Sequence, residues 1–119
     1  MLMDAAVKEL WVAALESGDY VQGTGMLKNT CGGFCCLGVL CELYRREVGG
    51  GWRLEEENDL VVFADTDGGT DYEVCPDGVA SWAGLDKKDP FVSGRHLSDW
   101  NDNERITFNS IANLIRENL

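Results

Sequence analysis

Histidine is nearly absent from this sequence, which contains a single one, His96, in 119 residues. The chain also has no nucleophile-elbow pattern, so it lacks the usual signs of an acyl-transfer site, where a base must lie beside an activated nucleophile. We interpret His96 as a surface or packed residue, with an acid–base role as the alternative. The sequence therefore predicts a protein that is not an enzyme, and we expect neither a metal nor a cofactor.

Basic residues are also few: 10 Lys and Arg stand against 21 Asp and Glu, which gives a formal net charge of −11. Such a surface repels nucleic-acid backbones and anionic membranes, so neither is an expected partner. A small phosphate ligand stays possible, because two or three local groups can hold one.

Long apolar runs are missing too, since none approaches the ~20 residues needed to cross a bilayer. The first residues, MLMDAAVKELW, lack the basic region and apolar run of a signal peptide. We therefore expect a cytoplasmic protein. Its length fits a single domain over residues 1–119.

Cysteine is plentiful, and four of the five lie in CGGFCCLGVLCELY, Cys31–Tyr44. The odd number and the expected reducing compartment argue against disulfides. The spacing also differs from the paired C-x2-C of structural zinc sites. Because free cysteine often packs as a small hydrophobe, we predict core packing. In this interpretation GGFCC ends a strand, Cys35 and Cys36 face opposite sides of it, and Cys41 lies on the buried face of the following helix.

Hydrophobic periodicity predicts an α+β fold, with a small antiparallel sheet flanked by N-terminal, central and C-terminal helices. The N-terminal helix is expected at 4–16, the central helix at 37–48, and the C-terminal helix from about Thr107. One apolar stripe of the first helix should contain Val7, Leu10, Trp11, Ala14 and Leu15. The strand candidates, in chain order, are 20–22, 26–28, 34–36, 52–54, 60–64 and 71–74.

Two acidic segments could in principle bind a cation. Residues 55–59 of LEEENDL are better explained as a solvated loop. DTDGGTD lacks the spacing and the terminal glutamate of an EF-hand loop, so a tight turn is expected there.

Three residues near the C-terminal half could contact a ligand. Phe91 follows Pro90 in a loop, where an aromatic ring could stack on a base or cover the edge of the core. Asn101 could hydrogen-bond a base or ribose edge, or cap a helix. Arg105 could pair with a phosphate or lie on a solvated helix face.

Two further candidates lie at helix ends. Arg116, in the C-terminal helix, has the same alternatives as Arg105. Ser17 and Gly18 offer a hydroxyl and a close backbone approach at the end of the first helix, or they form its C-cap.

Three blocks of sequence resemble a known family. They are WVAALESGDYVQGTGML (Trp11–Leu27), FCCLGVLCELY (Phe34–Tyr44) and LSDWND…FNSIANLI (within Leu97–Ile115). The pattern recurs among small phage proteins of unassigned function. It is also similar to the first-described family of phage Thoeris anti-defence proteins, and the blocks cover nearly half of the chain.

The resemblance implies a non-enzymatic sponge. Members of that family capture signalling nucleotides of the cyclic ADP-ribose type and release them intact, and they are homo-hexamers of small α+β subunits with separate pockets for cyclic trinucleotides. Carried over by motif, the loop aromatic would be Phe91, the asparagine of the ND motif Asn101, and the helical arginine Arg116. Ser17 and Gly18 would line the second pocket. This protein would then act in the infected bacterial host cell.

Two other functions compete with the sponge. One is a hydrolase that degrades such a signal, which would need a histidine or metal cluster. The other is an acidic protein that inhibits a host protein by occupying its nucleic-acid site.

Overall fold

The computed structural model describes residues 2–103 and 105–119, and within them the chain forms five helices and five short strands. In chain order these are α1 (Ala5–Glu16), α2 (Cys36–Glu47), β1 (Gly51–Glu55), β2 (Leu60–Ala64), β3 (Thr70–Asp71), α3 (Asp77–Ala83), β4 (Phe91–Val92), β5 (Arg95–His96), α4 (Leu97–Asp102) and α5 (Phe108–Asn118). The predicted α+β fold, with N-terminal, central and C-terminal helices around small antiparallel sheets, is confirmed.

The two terminal helices pack against each other and begin at side-chain caps. The Asp4 carboxylate accepts from the Val7 amide at the start of α1, and the Thr107 hydroxyl accepts from the Ser110 amide at the start of α5. The inner face of α5 buries Phe108, Ile111, Ala112 and Ile115, as its periodicity predicts.

The apolar stripe of α1 differs from the prediction at one position. Leu10 is 41% exposed, and Val12 is buried instead, together with Val7, Trp11 and Leu15. Because α1 contacts both α5 and α2, its buried face is shifted toward Val12, and Leu10 is left exposed to solvent.

The central helix α2 is the most deeply buried element, with every residue from Cys36 to Tyr44 in the interior. The indole N–H of Trp11 donates to the carbonyl of Cys36 at 2.9 Å, which joins α1 to the first turn of α2. Gly38 lies so close to a neighbouring segment that a Cβ there would be 1.8 Å from the carbonyl oxygen of Leu27. Only glycine fits this crossing.

The predicted strand at 34–36 is wrong, as are those at 20–22 and 26–28. Phe34 makes only isolated bridges, to Gln22 and to Lys28, while glycine turns interrupt the segments on either side. Cys35 is the N-cap of α2, where its thiol accepts from the Gly38 amide at 3.3 Å, and Cys36 begins the helix. The two cysteines therefore do not face opposite sides of a strand.

The larger sheet has the order β1-β2-β3, with both pairings antiparallel, and Trp52 lies opposite Phe63. Edge-on aromatic contacts run from Trp52 through Phe63 to Tyr44 and attach the sheet to α2. The smaller sheet is the two-residue hairpin of β4 and β5.

The acidic sequence DTDGGTD forms the turn that was predicted. Its first residue, Asp65, is buried, and its carboxylate accepts from the amides of Asp67, Gly69 and Gly78 at 2.8–2.9 Å. A Cβ at either of these glycines would lie 2.6 Å from the Asp65 Oδ2 atom. The carboxylate therefore ties the turn to the first residues of α3.

The buried hydrophobic residues, apart from Val62, form one cluster that runs from Met3 to Ile115. In the part of the chain that the structure describes, no helix is long and apolar enough to cross a membrane.

Candidate ligand-binding site

A surface groove of about 220 Å³ lies beside the β4–β5 hairpin, and we call it the Phe91 groove. Its walls are Met3, Gly84, Leu85, Asp86, Lys87, Pro90, Phe91 and Leu119. Five of these eight residues are apolar, and two, Asp86 and Lys87, carry opposite charges. The groove is held in shape by backbone contacts, since the amide of Asp4 donates to the carbonyl of Ala83 at 2.9 Å and that of Met3 donates to the carbonyl of Leu119 at 3.3 Å.

Phe91 is 57% exposed because the hairpin turns it outward. Neighbouring strand residues point to opposite faces, so Val92 is buried while Phe91 faces solvent. The hairpin itself is anchored, since the Trp100 indole donates to the Val92 carbonyl at 2.8 Å and the Leu97 amide donates to the Pro90 carbonyl at 2.8 Å. The Phe91 ring makes one edge-on contact, to His96 at 5.3 Å between centroids. These hydrogen bonds fix the backbone of the hairpin, and one face of the Phe91 ring is left exposed.

Lys87 supplies positive charge to the same groove. It has no ion-pair partner among residues 2–103 and 105–119, whereas its neighbour Lys88 pairs with Asp77 at 3.2 Å. An aromatic face beside an unpaired ammonium group can hold a ligand with a flat ring and a negative charge. Sequence reasoning missed Lys87, although its position four residues before Phe91 in KKDPF could have indicated it.

Asn101, the second predicted ligand residue, is buried at 1% exposure and lies outside the lining of the Phe91 groove. Its Oδ1 accepts from the Cys36 amide at 3.0 Å and from the Gln22 side chain at 3.3 Å. Its Nδ2 donates to the Gly23 carbonyl at 2.8 Å. The structure therefore gives this amide an internal role that joins three segments of the chain.

The two predicted arginines are not brought to the groove either. Arg105 is exposed near the end of α4, where its amide donates to the Asn103 side chain. Arg116 forms a two-point ion pair with Glu16 across α5 and α1, and the hydrogen bond from Arg116 lowers the pKa of the Glu16 carboxyl. A second groove between these helices is lined by Lys8, Glu9, Val12, Ala13, Glu16 and Arg116.

Ser17 and Gly18 follow Glu16 directly but are not among the lining residues of this second groove. The Ser17 hydroxyl donates to the Ala14 carbonyl at 2.7 Å and accepts from the Asp19 amide at 3.1 Å. Gly18 has a positive φ of 80°. Both features are those of the C-terminal turn of a helix.

The prediction of core packing is confirmed for Cys35, Cys36 and Cys41, which are buried as free thiols, and Cys75 is a fourth buried free thiol. Burial raises the pKa of the Cys35 thiol to about 12 and raises the pKa values of Cys36 and Cys41 well above their usual range. These thiols stay protonated at neutral pH and are poor nucleophiles. Cys31 differs from the prediction, because it is exposed in a turn.

A third surface feature is an acidic cleft of about 240 Å³, which sequence reasoning missed. Four carboxylates line it, from Glu73, Asp89, Asp99 and Asp102. Asp89 also accepts from the amide of Ser98, and Asp102 accepts from that of Gly25, so both help to hold the loops together. Among residues 2–103 and 105–119, no group of three or more His, Cys, Asp or Glu side chains is arranged to hold a metal ion.

The fold and the Phe91 groove together define a small α+β protein with an aromatic surface groove built on a β-hairpin. The chain belongs to the family described as a domain of unknown function, DUF8296, whose sequence profile matches residues 3–119. No curated protein and no solved structure matches the chain.

Proposed function

We propose that this protein binds a cyclic nucleotide signal in the Phe91 groove and sequesters it without cleaving it. The observation that carries the proposal is the exposed Phe91 ring beside the unpaired Lys87 in one groove. The similarity to phage anti-defence proteins points to cyclic ADP-ribose isomers, or to cyclic trinucleotides, as the ligand class. The protein would then block an anti-phage defence in the cytoplasm of an infected bacterium.

Each part of the groove has a matching part in such a ligand. A base can stack on the free face of Phe91, which contributes about 1–3 kcal/mol. A phosphate can pair with Lys87 through a charge-assisted hydrogen bond. Asp86 lines the same groove, so a bound ligand would place its phosphate at Lys87 and away from the Asp86 carboxylate.

The size of the groove bears on the assembly. At about 220 Å³ it is smaller than the roughly 300–1,000 Å³ of typical ligand pockets. One subunit can therefore hold a base with its ribose but not a whole cyclic ADP-ribose isomer or cyclic trinucleotide. A second subunit over the groove would complete the enclosure, in keeping with the homo-hexamer that the sequence resemblance implies.

Isothermal titration calorimetry with a cyclic ADP-ribose isomer and with a cyclic trinucleotide tests the proposal. Phe91→Ala and Lys87→Gln should each weaken binding at least tenfold. Their matched controls, Val21→Ala at another exposed apolar residue and Lys88→Gln at the adjacent lysine, should bind as the unsubstituted protein does. Equal binding by all four variants, or no binding of either nucleotide, contradicts the proposal.

Heating the loaded protein and analysing the released small molecules by mass spectrometry separates a sponge from a hydrolase. Intact nucleotide supports sequestration. Cleaved nucleotide, produced in more than stoichiometric amount, supports the hydrolase.

The acidic cleft favours a second candidate, an inhibitor that docks on a basic host protein. Glu73 and Asp99 line the cleft and are exposed. If a purified basic host protein binds through this cleft, Glu73→Gln combined with Asp99→Asn should weaken the complex and reduce its salt dependence. The same pair of substitutions should leave nucleotide binding at the Phe91 groove unchanged.

A further inference from the structure

The strand β1 forms one edge of the three-stranded sheet, and its outer side is open. Alternate residues of an antiparallel edge strand direct their N–H and C=O groups away from the sheet. No backbone hydrogen bond of residues 51–55 reaches beyond the β1–β2 ladder in the described part of the chain. Arg53 is exposed and Leu54 is 52% exposed. The opposite edge strand, β3, has only two residues, so β1 is the longer edge available for pairing.

The side chains of β1 make a pattern that is complementary to itself. Arg53 and Glu55 are two residues apart and therefore project from the same face of the sheet, where their Nη2 and Oε1 atoms lie 3.4 Å apart. Leu54 projects from the other face. If a second β1 strand pairs antiparallel about a two-fold axis through Leu54, Arg53 of each copy lies opposite Glu55 of the other, and the two Leu54 side chains meet.

Charge favours this register over its neighbours. A two-fold axis perpendicular to the sheet brings residues of the same face opposite each other, so the adjacent registers are centred on Arg53 or on Glu55. Those registers place Arg53 opposite Arg53, or Glu55 opposite Glu55, and like charges directly opposite across strands are destabilising. Of the three registers, only the Leu54-centred one pairs opposite charges and also buries an exposed apolar side chain.

We propose that β1 pairs edge to edge with β1 of a second copy of this chain in the Leu54-centred register. The two three-stranded sheets then join into one six-stranded sheet across an isologous interface. This proposal is independent of any ligand in the Phe91 groove.

Sedimentation velocity over a range of protein concentrations tests the proposal through charge reversal. Arg53→Glu and Glu55→Arg should each weaken dimerisation at least tenfold, because like charges then face each other. The double variant R53E/E55R should regain the dimer. The control Arg105→Glu, at an exposed arginine outside β1, should leave the dimer unchanged. A protein that is monomeric at every concentration overturns the proposal, and so does a dimer or a larger assembly whose size the single reversals do not reduce. A double variant that stays as weakly associated as the single variants overturns the Leu54-centred register.

A cross-linking experiment checks the register independently. In a Cys31→Ser background, Leu54→Cys should form a disulfide-linked dimer when diamide oxidises the two facing thiols and takes up their two hydrogens. Val21→Cys, which is more exposed, serves as the control and should stay monomeric on a non-reducing gel. Equal cross-linking at both positions would show random collision and count against the register.

Discussion

The side-chain oxygen of Asn101 accepts a hydrogen bond at 3.0 Å from the backbone amide of Cys36, 65 positions earlier in the chain. The same side chain also reaches Gln22 and Gly23. One buried amide thus joins α4 to the start of α2 and to the loop that follows α1.

Asn101→Ala should lower the free energy of unfolding by about 3 kcal/mol. The substitution leaves the Cys36 amide and the Gly23 carbonyl without their partner in the interior, and each unpaired buried group costs roughly 1–3 kcal/mol. Urea denaturation measures the change. Asn58→Ala, in the exposed turn between β1 and β2, should change stability little. If Asn101→Ala folds with unchanged stability and only loses nucleotide binding, Asn101 is a ligand residue after all.

Gly38→Ala should destabilise the protein by about 3 kcal/mol or more, because the new methyl group would overlap the carbonyl of Leu27 and force two backbone segments apart. Gly51→Ala is the control, since a Cβ there meets nothing within 4 Å and its φ is not positive. Thermal unfolding of both variants gives the comparison. Similar melting temperatures would mean that the α2 crossing can relax at little cost.

The buried thiols should make stability fall at high pH. In the folded chain the pKa values of Cys35, Cys36 and Cys41 are raised above the ordinary 9.0 by burial, so the folded state keeps protons that the unfolded chain loses. Stability is therefore fully present below pH 9 and decreases as the pH rises toward the folded pKa of about 12 for Cys35. Each thiol adds up to about 1.4 kcal/mol per pH unit to the slope.

Urea unfolding at pH 8, 9 and 10 measures this slope, and Cys35→Ala should make it shallower.

At neutral pH a thiol reagent should modify Cys31 rapidly and the four buried thiols only after unfolding. Rapid reaction of all five thiols in the folded protein would refute this account of the core.

Glu42 should stabilise the protein through its charge above pH 4.5 and lose that contribution in acid. The side chain is nearly buried in α2, where Arg45 donates two hydrogen bonds at 2.7 Å and the Trp52 indole donates one at 3.0 Å. The hydrogen bonds from Arg45 are the main cause of the lowered pKa of Glu42, and burial opposes them. The folded state therefore holds the proton less readily than the unfolded chain does, so the contribution disappears as the pH falls through the lowered pKa.

Glu42→Gln should be less stable than the unsubstituted protein at pH 7, and the difference should shrink as the pH is lowered below 4.5. Glu47→Gln, at an exposed position of the same helix, should show little pH-dependent difference. If the stability difference between Glu42→Gln and the unsubstituted protein stays constant from pH 7 to pH 3, the effect comes from the shape of the side chain and not from its charge.

The helices could be predicted from sequence because their apolar spacing and caps are local signals. Thr107 and the spacing from Phe108 to Ile115 place α5 within a residue of its actual start. The segment from Tyr20 to Cys36 was mispredicted because its apolar residues fit a strand pattern, although the chain there is shaped by glycine turns and by contacts to Asn101. Such contacts come from distant positions and leave no local pattern.

The same distinction applies to the candidate site. Phe91 could be selected because it follows Pro90 in a segment that was expected to be a loop, where an aromatic ring can stack on a base. The structure places it instead in β4, and its exposure follows from the short hairpin. The acidic cleft was missed, since Glu73, Asp89, Asp99 and Asp102 come from separate segments that only the fold brings together.

The turn around Asp65 limits which residues members of the DUF8296 family can carry at three positions. Gly69 and Gly78 both leave room for the Oδ2 atom of Asp65. The amide of Gly69 donates to Oδ1 of this carboxylate, and the amide of Gly78 donates to Oδ2. A relative that loses the acid no longer needs either gap, and a relative that gains a side chain at 69 or 78 can no longer hold the acid. These three positions should therefore change together during evolution, as one inherited unit.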